Sequence, residues 1–174
     1  QGGQGRVIRA QDRLGRWWAG SESGFWRRER DGWMSASSDP QLLRAHVWSL
    51  AFDASGNGYG GFRGGAAIAR GDSFEPWAMA DPWPSSVVRA VLPDADGAIW
   101  LATAGGGLAR VRGGSFERFT RRNGLASDVV WEATMDREGN LFSATPSSGW
   151  LLGGAFVAGD TGVPMSNRMQ AFRL

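Results

Sequence analysis

The sequence predicts an all-β protein built from one antiparallel unit of four short strands that recurs along the chain. A turn glycine recurs every 41 or 42 residues, at Gly15, Gly56, Gly97 and Gly139. An aspartate stands three places before each of these glycines, and an aromatic residue stands three places after it. Markers that share one period indicate a repeat architecture. Short strands between glycine-rich turns, with periodic aromatic residues, are typical of a β-propeller.

The clearest copy of the unit lies between residues 85 and 126. An apolar run from Val87 to Leu92 predicts its first strand, and Asp94 and Gly97 predict the turn that follows. Aspartate at the start of such a turn accepts backbone hydrogen bonds, and glycine at its end adopts a positive φ at little steric cost. The same order of signals predicts four strands in every unit, and no segment has the period of a helix.

The unit boundaries follow when this pattern is laid on the whole chain. We predict blades at residues 1–40, 41–84, 85–126 and 127–165, and the first strand of a further blade at 166–174. Seven such blades need roughly 290 residues. We therefore interpret the chain as a propeller fragment of about four four-stranded antiparallel blades, part of a seven-bladed ring. A fragment with two open ends exposes apolar blade faces, so in isolation it is expected to aggregate or dimerise.

Composition excludes several classes of chemistry. The chain contains no Lys, no Cys and one His. A Walker A loop and a Schiff base require Lys, and a thiolate nucleophile or a cysteine zinc site requires Cys. We therefore predict no metal and no cofactor. The 19 basic residues stand against 17 acidic ones, and this small excess gives no reason to predict a nucleic-acid partner.

Two short motifs imitate ligand sites. Residues 56–61 satisfy the spacing G-x-G-x-x-G of dinucleotide-binding loops. The repeat places them on a hairpin that leads into a strand, without the helix that would hold a pyrophosphate. Residues 94–97 resemble half of a calcium loop, but they lack the distal ligands. Both motifs are therefore predicted to be parts of a blade.

The turn and strand motifs resemble the two-component regulator propeller repeat. The best matches are the segments Gly124–Val130 and Asp94–Thr103, followed by Gly106, Gly107 and Leu108. The resemblance implies the ligand-sensing, extracytoplasmic propeller region of a bacterial hybrid histidine kinase or diguanylate cyclase. Such a region is periplasmic and is not itself catalytic. Its partners would be a small molecule or an oligosaccharide, together with the remaining blades and the signalling domains of the same polypeptide.

The candidate site lies where the inner strands begin. Trp48, Arg89 and Trp131 each stand five places before a repeat aspartate, and Gln170 takes this place by extrapolation. We expect them to line the mouth of the channel, with His46 just before them on the same loop face. Indole rings stack on the apolar faces of sugars, and a guanidinium can bind a carboxylate through two hydrogen bonds. The alternative is that these tryptophans fill the interfaces between blades.

Two other functions stay open at this stage. One is a propeller lyase that resembles the streptogramin lyases, which would need a general base and usually a metal or a second histidine. Only His46 is present for such a role in this sequence. The other is a protein-interaction propeller. A homodimer is also compatible with the sequence.

Overall fold

Short antiparallel strands account for almost all regular structure in the chain. The computed structural model describes residues 7–78, 87–136, 141–144, 156–157 and 164–165. The first sheet contains β1 (Ile8–Gln11), β2 (Trp17–Ser21), β3 (Gly24–Glu29) and β4 (Gly32–Ser35). The second contains β5 (Val47–Phe52), β6 (Gly58–Phe62), β7 (Gly65–Ala69) and β8 (Phe74–Pro76). The third contains β9 (Val88–Pro93), β10 (Ile99–Thr103), β11 (Gly107–Arg112) and β12 (Ser115–Phe119).

Two shorter pairs follow the third sheet. They are β13 (Glu132–Met135) with β14 (Leu141–Ala144), and β15 (Phe156–Val157) with β16 (Pro164–Met165). Single 3-10 turns at Leu42–Arg44 and Arg121–Asn123 lie between sheets. The predicted turn at Gly139 and the predicted first strand at 166–174 fall outside the described residues. The all-β prediction of four-stranded antiparallel units is confirmed for three sheets, whereas the blade boundaries and the number of blades in a ring remain predictions.

The turn after the first strand has the same geometry in all three sheets. Gly15, Gly56 and Gly97 have φ values of 76°, 89° and 82°. Each donates its backbone N–H to the carbonyl oxygen of the aspartate three places earlier. Glycine reaches this left-handed region without the clash that a Cβ would cause. The sequence prediction of this turn is therefore confirmed wherever the turn is described.

Apolar side chains between neighbouring sheets form the core. Trp18 of β2 is fully buried, and its ring centroid lies 5.4 Å from that of Phe52 and 5.7 Å from that of Phe74. Both phenylalanines belong to the second sheet, so Trp18 packs between the first two sheets. Trp100 differs, because its ring lies 5.4 Å from that of Phe119 in the same sheet.

Glycine in β6 makes room for the neighbouring sheets. A Cβ on Gly60 would overlap the buried ring of Phe25 in the first sheet. A Cβ on Gly61 would lie 2.7 Å from the carbonyl oxygen of Val88 in the third sheet. The glycines that imitate a dinucleotide motif thus lie on a turn and a strand, and they allow adjacent sheets to approach closely.

Candidate functional site

The order of the strands brings one set of connections to a common face. Within each four-stranded sheet every strand pairs with the next in antiparallel fashion. The connections that enter β5, β9 and β13 therefore lie on the same side as the turns β2–β3, β6–β7 and β10–β11. We call this side the mouth face. The strands β1, β5, β9 and β13 are the inner strands, and each contacts the next along the chain.

Backbone contacts join the sheets along the mouth face. Gly24 donates its N–H to the carbonyl oxygen of Ala45 at 2.9 Å, which links the turn β2–β3 to the entry of β5. Gly105 and Gly107 both donate to the carbonyl oxygen of Asp128, at 3.0 and 2.7 Å. Val130 donates to Thr103 at 2.9 Å. These bonds hold the entries of β5 and β13 against the preceding sheet.

Two of the predicted site residues are the extra residues of β-bulges. In the pairing of β5 with β6, Val47 lies opposite Phe62 and Ser49 opposite Gly61, so Trp48 has no partner residue in the ladder. In the pairing of β9 with β10, Val88 and Ala90 have partner residues, whereas Arg89 between them has none. A bulge re-aims the side chain that it carries. The repeat therefore places an equivalent bulge, with a large side chain, at the start of two inner strands.

The four predicted site residues form one continuous stack, which we call the mouth stack. The ring of His46 lies on that of Trp48, with centroids 3.9 Å apart and planes inclined by 25°. The guanidinium carbon of Arg89 lies 3.9 Å from the ring centroid of Trp48 and 4.2 Å from that of Trp131. The stack crosses three consecutive inner strands, because Trp48 is the second residue of β5, Arg89 is the second residue of β9 and Trp131 directly precedes β13.

Both faces of Trp48 are covered within the stack. His46 and the Arg89 guanidinium each lie 3.9 Å from its ring centroid. Two planar groups at that distance would overlap on one face, so they occupy opposite faces. The indole nitrogen of Trp48 is buried and has no hydrogen-bond partner among the described residues. Trp48 thus packs between blades as the alternative interpretation expected, and a sugar could stack on it only by displacing a neighbour.

Trp131 forms the accessible end of the stack. Its side chain contacts the Arg89 guanidinium, and 47% of its surface remains exposed. A cation over one indole face contributes about 0.5–1 kcal/mol at an exposed site and up to about 2 kcal/mol when it is desolvated. The contact with Arg89 therefore orients a ring whose remaining surface is open to solvent. Gln170, the extrapolated fourth position, lies outside the described residues.

The repeat aspartates lie on the face opposite the mouth face, in the turns that follow the inner strands. The carboxylate of Asp12 accepts the indole N–H of Trp18 at 3.0 Å, and that of Asp53 accepts the hydroxyl of Tyr59 at 3.0 Å. The carboxylate of Asp94 accepts the indole N–H of Trp100 at 3.2 Å. Sequence reasoning found both markers but not the bond between them. The signal was the constant spacing of six residues between the aspartate and the aromatic residue.

These bonds shift the acidity of the groups involved. Burial alone would raise the pKa of Asp12, but hydrogen bonds from Trp18 and Arg16 outweigh it and lower that pKa. Burial opposes the shift of Asp53 in the same way, and bonds from Asn57 and Tyr59 lower its pKa. The pKa of Tyr59 rises to about 12, first because burial disfavours the phenolate and second because the hydroxyl donates a hydrogen bond to the Asp53 carboxylate.

The described part of the chain contains a single histidine, His46. It holds no cluster of three or more His, Asp or Glu side chains arranged to bind a metal ion. His46, the only histidine, is covered on one side by Trp48. Among the described residues, no helix has the length and apolar character needed to span a membrane. At the mouth, a guanidinium lies over a partly exposed indole, and such groups can stack on an apolar ring face and bind an anion.

Comparisons with known proteins confirm the sequence resemblance. The family model described as "Two component regulator propeller" matches residues 82–105. This segment includes Arg89, the turn at Asp94 and Gly97, and all of β10. No curated protein sequence gives a match.

Solved structures confirm the propeller fold. The extracellular domain of the hybrid two component system BT3049 from B. thetaiotaomicron superposes with a TM-score of 0.67 at 17% identity, covering 80% of this chain and 20% of its own. The extracellular domain of BT4673 from the same organism gives 0.65 at 18% identity, covering 83% and 20%. This chain thus spans about one fifth of the length of those domains.

A propeller enzyme is also similar in fold. Catalytically inactive virginiamycin B lyase from Staphylococcus aureus, solved with quinupristin, gives a TM-score of 0.53 at 10% identity. The match covers 83% of this chain and 58% of the lyase. At such identities the likeness extends to the fold alone.

Proposed function

We propose that this chain is part of the ligand-sensing propeller of a bacterial membrane signalling protein, located outside the cytoplasm. The mouth stack carries the proposal, because residues from three successive blades converge on an exposed indole at one end of the channel. The match to the two component regulator propeller model and the fold shared with extracellular domains of two component systems support it. The output domain, a histidine kinase or a diguanylate cyclase, would belong to the same polypeptide.

In this proposal the chain binds a ligand and does not transform it. The ligand is an oligosaccharide or another small molecule with an apolar face that stacks on Trp131. Arg89 and Trp48 hold that indole in place through a connected series of ring and guanidinium contacts. Because the stack touches three inner strands, a ligand that moves Trp131 also changes how these strands pack. A change in blade packing is a physical route from the mouth to the output domain.

The test is a thermal-shift screen of the intact protein against neutral and acidic oligosaccharides. A ligand that binds only the native state raises the melting temperature as its concentration increases. At a ligand concentration one hundred times the dissociation constant, the free energy of unfolding rises by ~2.7 kcal/mol. We expect Trp131→Ala to abolish the rise while the protein stays folded, because this side chain is half exposed. The matched control is Trp33→Ala, which removes a 39% exposed tryptophan of the outer strand β4. If both variants lose the ligand-induced rise in melting temperature, or if both keep it, the proposed site is contradicted.

A lyase is the second candidate, favoured by the fold shared with virginiamycin B lyase. In this chain His46 would have to act as the general base, since it is the only histidine. The two functions separate when a bound ligand is recovered and analysed by mass spectrometry. We expect the ligand to be recovered unchanged. A cleaved or rearranged product that no longer forms in His46→Gln would refute the sensor function and support the lyase function. A protein partner stays as the third possibility if no small ligand binds.

A further inference from the structure

Each four-stranded sheet ends in an outer strand, far from the inner strand. These outer strands are β4, β8 and β12. The outer edge of such a strand presents backbone N–H and carbonyl groups to which a further strand can add. Many proteins prevent this addition by placing a charged residue or a proline on the edge. The repeat allows the three outer edges to be compared at equivalent positions.

The outer strands β8 and β12 carry such protection. In each of them, the repeat aromatic residue is followed by an exposed glutamate, Glu75 in β8 and Glu117 in β12. The next residue is Pro76 in β8 and Arg118 in β12, and both are exposed. A charge on the edge disfavours pairing with a second strand, and proline has no N–H to donate to a ladder.

The outer strand β4 has no such protection. The residues that follow its aromatic residue, Trp33, are Met34 and Ser35. All three side chains are exposed, and that of Met34 is 61% exposed. The strand has the sequence Gly-Trp-Met-Ser and therefore carries no charge. Its edge combines open backbone groups with exposed apolar side chains.

The end of β4 is held in place by the second sheet. Phe74 donates its backbone N–H to the carbonyl oxygen of Ala36 at 2.7 Å, and the hydroxyl of Ser37 donates to the carbonyl oxygen of Phe74 at 2.8 Å. Ala36 also donates its backbone N–H to the carbonyl oxygen of Phe25 at 2.8 Å. An edge that is already ordered loses little conformational entropy when a second strand pairs with it.

The charges beside β4 do not oppose the approach of an identical edge. Arg27 lies opposite Met34 in the ladder, and its guanidinium contacts the carboxylates of Glu29 and Asp72, each at 2.7 Å. Arg28 lies opposite Trp33. If two β4 strands paired, the two β3 strands would lie three strand spacings, roughly 14 Å, apart. Charges at that separation are largely screened at physiological salt.

We propose that β4 is a dimerisation edge, at which β4 of a second copy of this chain adds in antiparallel fashion. A two-fold axis near Met34 joins the first sheets of the two copies into one continuous sheet. Two-fold dimers use the same surface on both subunits, and an uncharged antiparallel edge is complementary to itself. A flexible peptide would have to lose its conformational freedom on binding, whereas β4 of a second copy is already extended. This inference is independent of the ligand at the mouth.

The test measures the association of the intact protein by sedimentation velocity, from about 0.1 µM to about 100 µM, a range that separates tight dimers from weak ones. We expect the wild type to dimerise. Met34→Glu restores the charge found in β8 and β12 and is expected to raise the dissociation constant at least about tenfold, because two carboxylates then meet at the axis. Met34→Gln, which has similar size and no charge, should have a smaller effect.

The matched control is Leu14→Glu. Leu14 is 77% exposed in the turn β1–β2 of the same sheet, and this variant is expected to leave the dissociation constant unchanged. Met34→Glu is expected to keep the melting temperature of the monomer, since glutamate occupies the equivalent exposed positions in β8 and β12. Dimers that both glutamate variants weaken equally, or that neither weakens, would place the interface elsewhere and overturn the inference.

Hydrogen exchange of the β4 amides separates a second copy from other occupants of the edge. We expect these amides to exchange at least about tenfold more slowly in the wild-type dimer than in Met34→Glu, because pairing protects them. A monomeric wild type would overturn the proposal whatever the exchange rates. Protected amides in that monomer would assign the edge to another segment of the same polypeptide, and unprotected amides would show that no strand adds there.

Discussion

Tyr59 is expected to titrate far above the usual value for a tyrosine. Its hydroxyl donates to the carboxylate of Asp53 at 3.0 Å, and the residue is 7% exposed. Burial and this bond both favour the neutral phenol and raise the pKa from 10.0 to about 12. One pKa unit corresponds to about 1.4 kcal/mol, so the shift is linked to roughly 2–3 kcal/mol of unfolding free energy.

The sign of this linkage sets the pH window. Unfolded Tyr59 loses its proton near pH 10.0, whereas the folded protein retains it up to about pH 12. The contribution is therefore complete below pH 10 and disappears as the pH rises through 12. We expect the melting temperature to fall more steeply over this range in the wild type than in Tyr59→Phe, which lacks the titrating group.

The assay is an ultraviolet titration of phenolate formation, which reports one residue because the chain contains one Tyr. Far-UV circular dichroism at each pH identifies the points at which the protein is still folded. In Asp53→Asn the midpoint should fall towards 10 without reaching it, since burial remains after the charge is removed. A midpoint near 10 in the folded wild type, or parallel stability profiles for wild type and Tyr59→Phe, would refute the reasoning.

Three further predictions concern packing and acid stability. Gly60→Ala is expected to lower the free energy of unfolding by about 1–3 kcal/mol, because the added Cβ overpacks against Phe25. Denaturant unfolding measures this loss, which should be smaller when Phe25→Leu is present as well. Asp12→Asn is expected to cost ~2 kcal/mol through weakened bonds to Arg16 and Trp18. Because the folded pKa of Asp12 is lowered from 3.8, the difference from wild type should shrink as the pH falls below 3.8 and vanish below the pKa of the folded state; a constant difference in melting temperature would contradict this. The isolated chain is expected to self-associate, and a monodisperse monomer in light scattering would argue against exposed blade faces.

Parts of the candidate site could be derived from the repeat alone. Trp48, Arg89 and Trp131 occupy equivalent places relative to the repeat aspartates, and equivalent places in successive blades must lie near one another around a channel. Their proximity was therefore predictable, and the structure brings them into contact together with His46. The contacts themselves were not predictable, because spacing along a chain does not determine the direction of a side chain at a bulge.

Other features depended on information that the sequence pattern does not contain. Trp48 is covered on one face by His46, its close neighbour in the sequence, and on the other by Arg89, which lies about 40 positions further along the chain. The constant spacing between Asp53 and Tyr59 was visible, but a repeated polar residue and a repeated aromatic one are equally compatible with separate roles. Only their three-dimensional positions show that the carboxylate accepts a hydrogen bond from the hydroxyl.

The sequence by itself determined the period, the turns and the all-β class of this protein, because each turn depends on local requirements: an aspartate that accepts nearby N–H groups and a glycine that adopts positive φ. Tertiary structure decided which side chains share the mouth face and which charges are neutralised. Arg16 pairs with Asp72 across two sheets, whereas the exposed Arg121 forms no ion pair with any of the described residues. Such differences arise from contacts between blades, and those depend on how whole sheets stack rather than on any short stretch of chain.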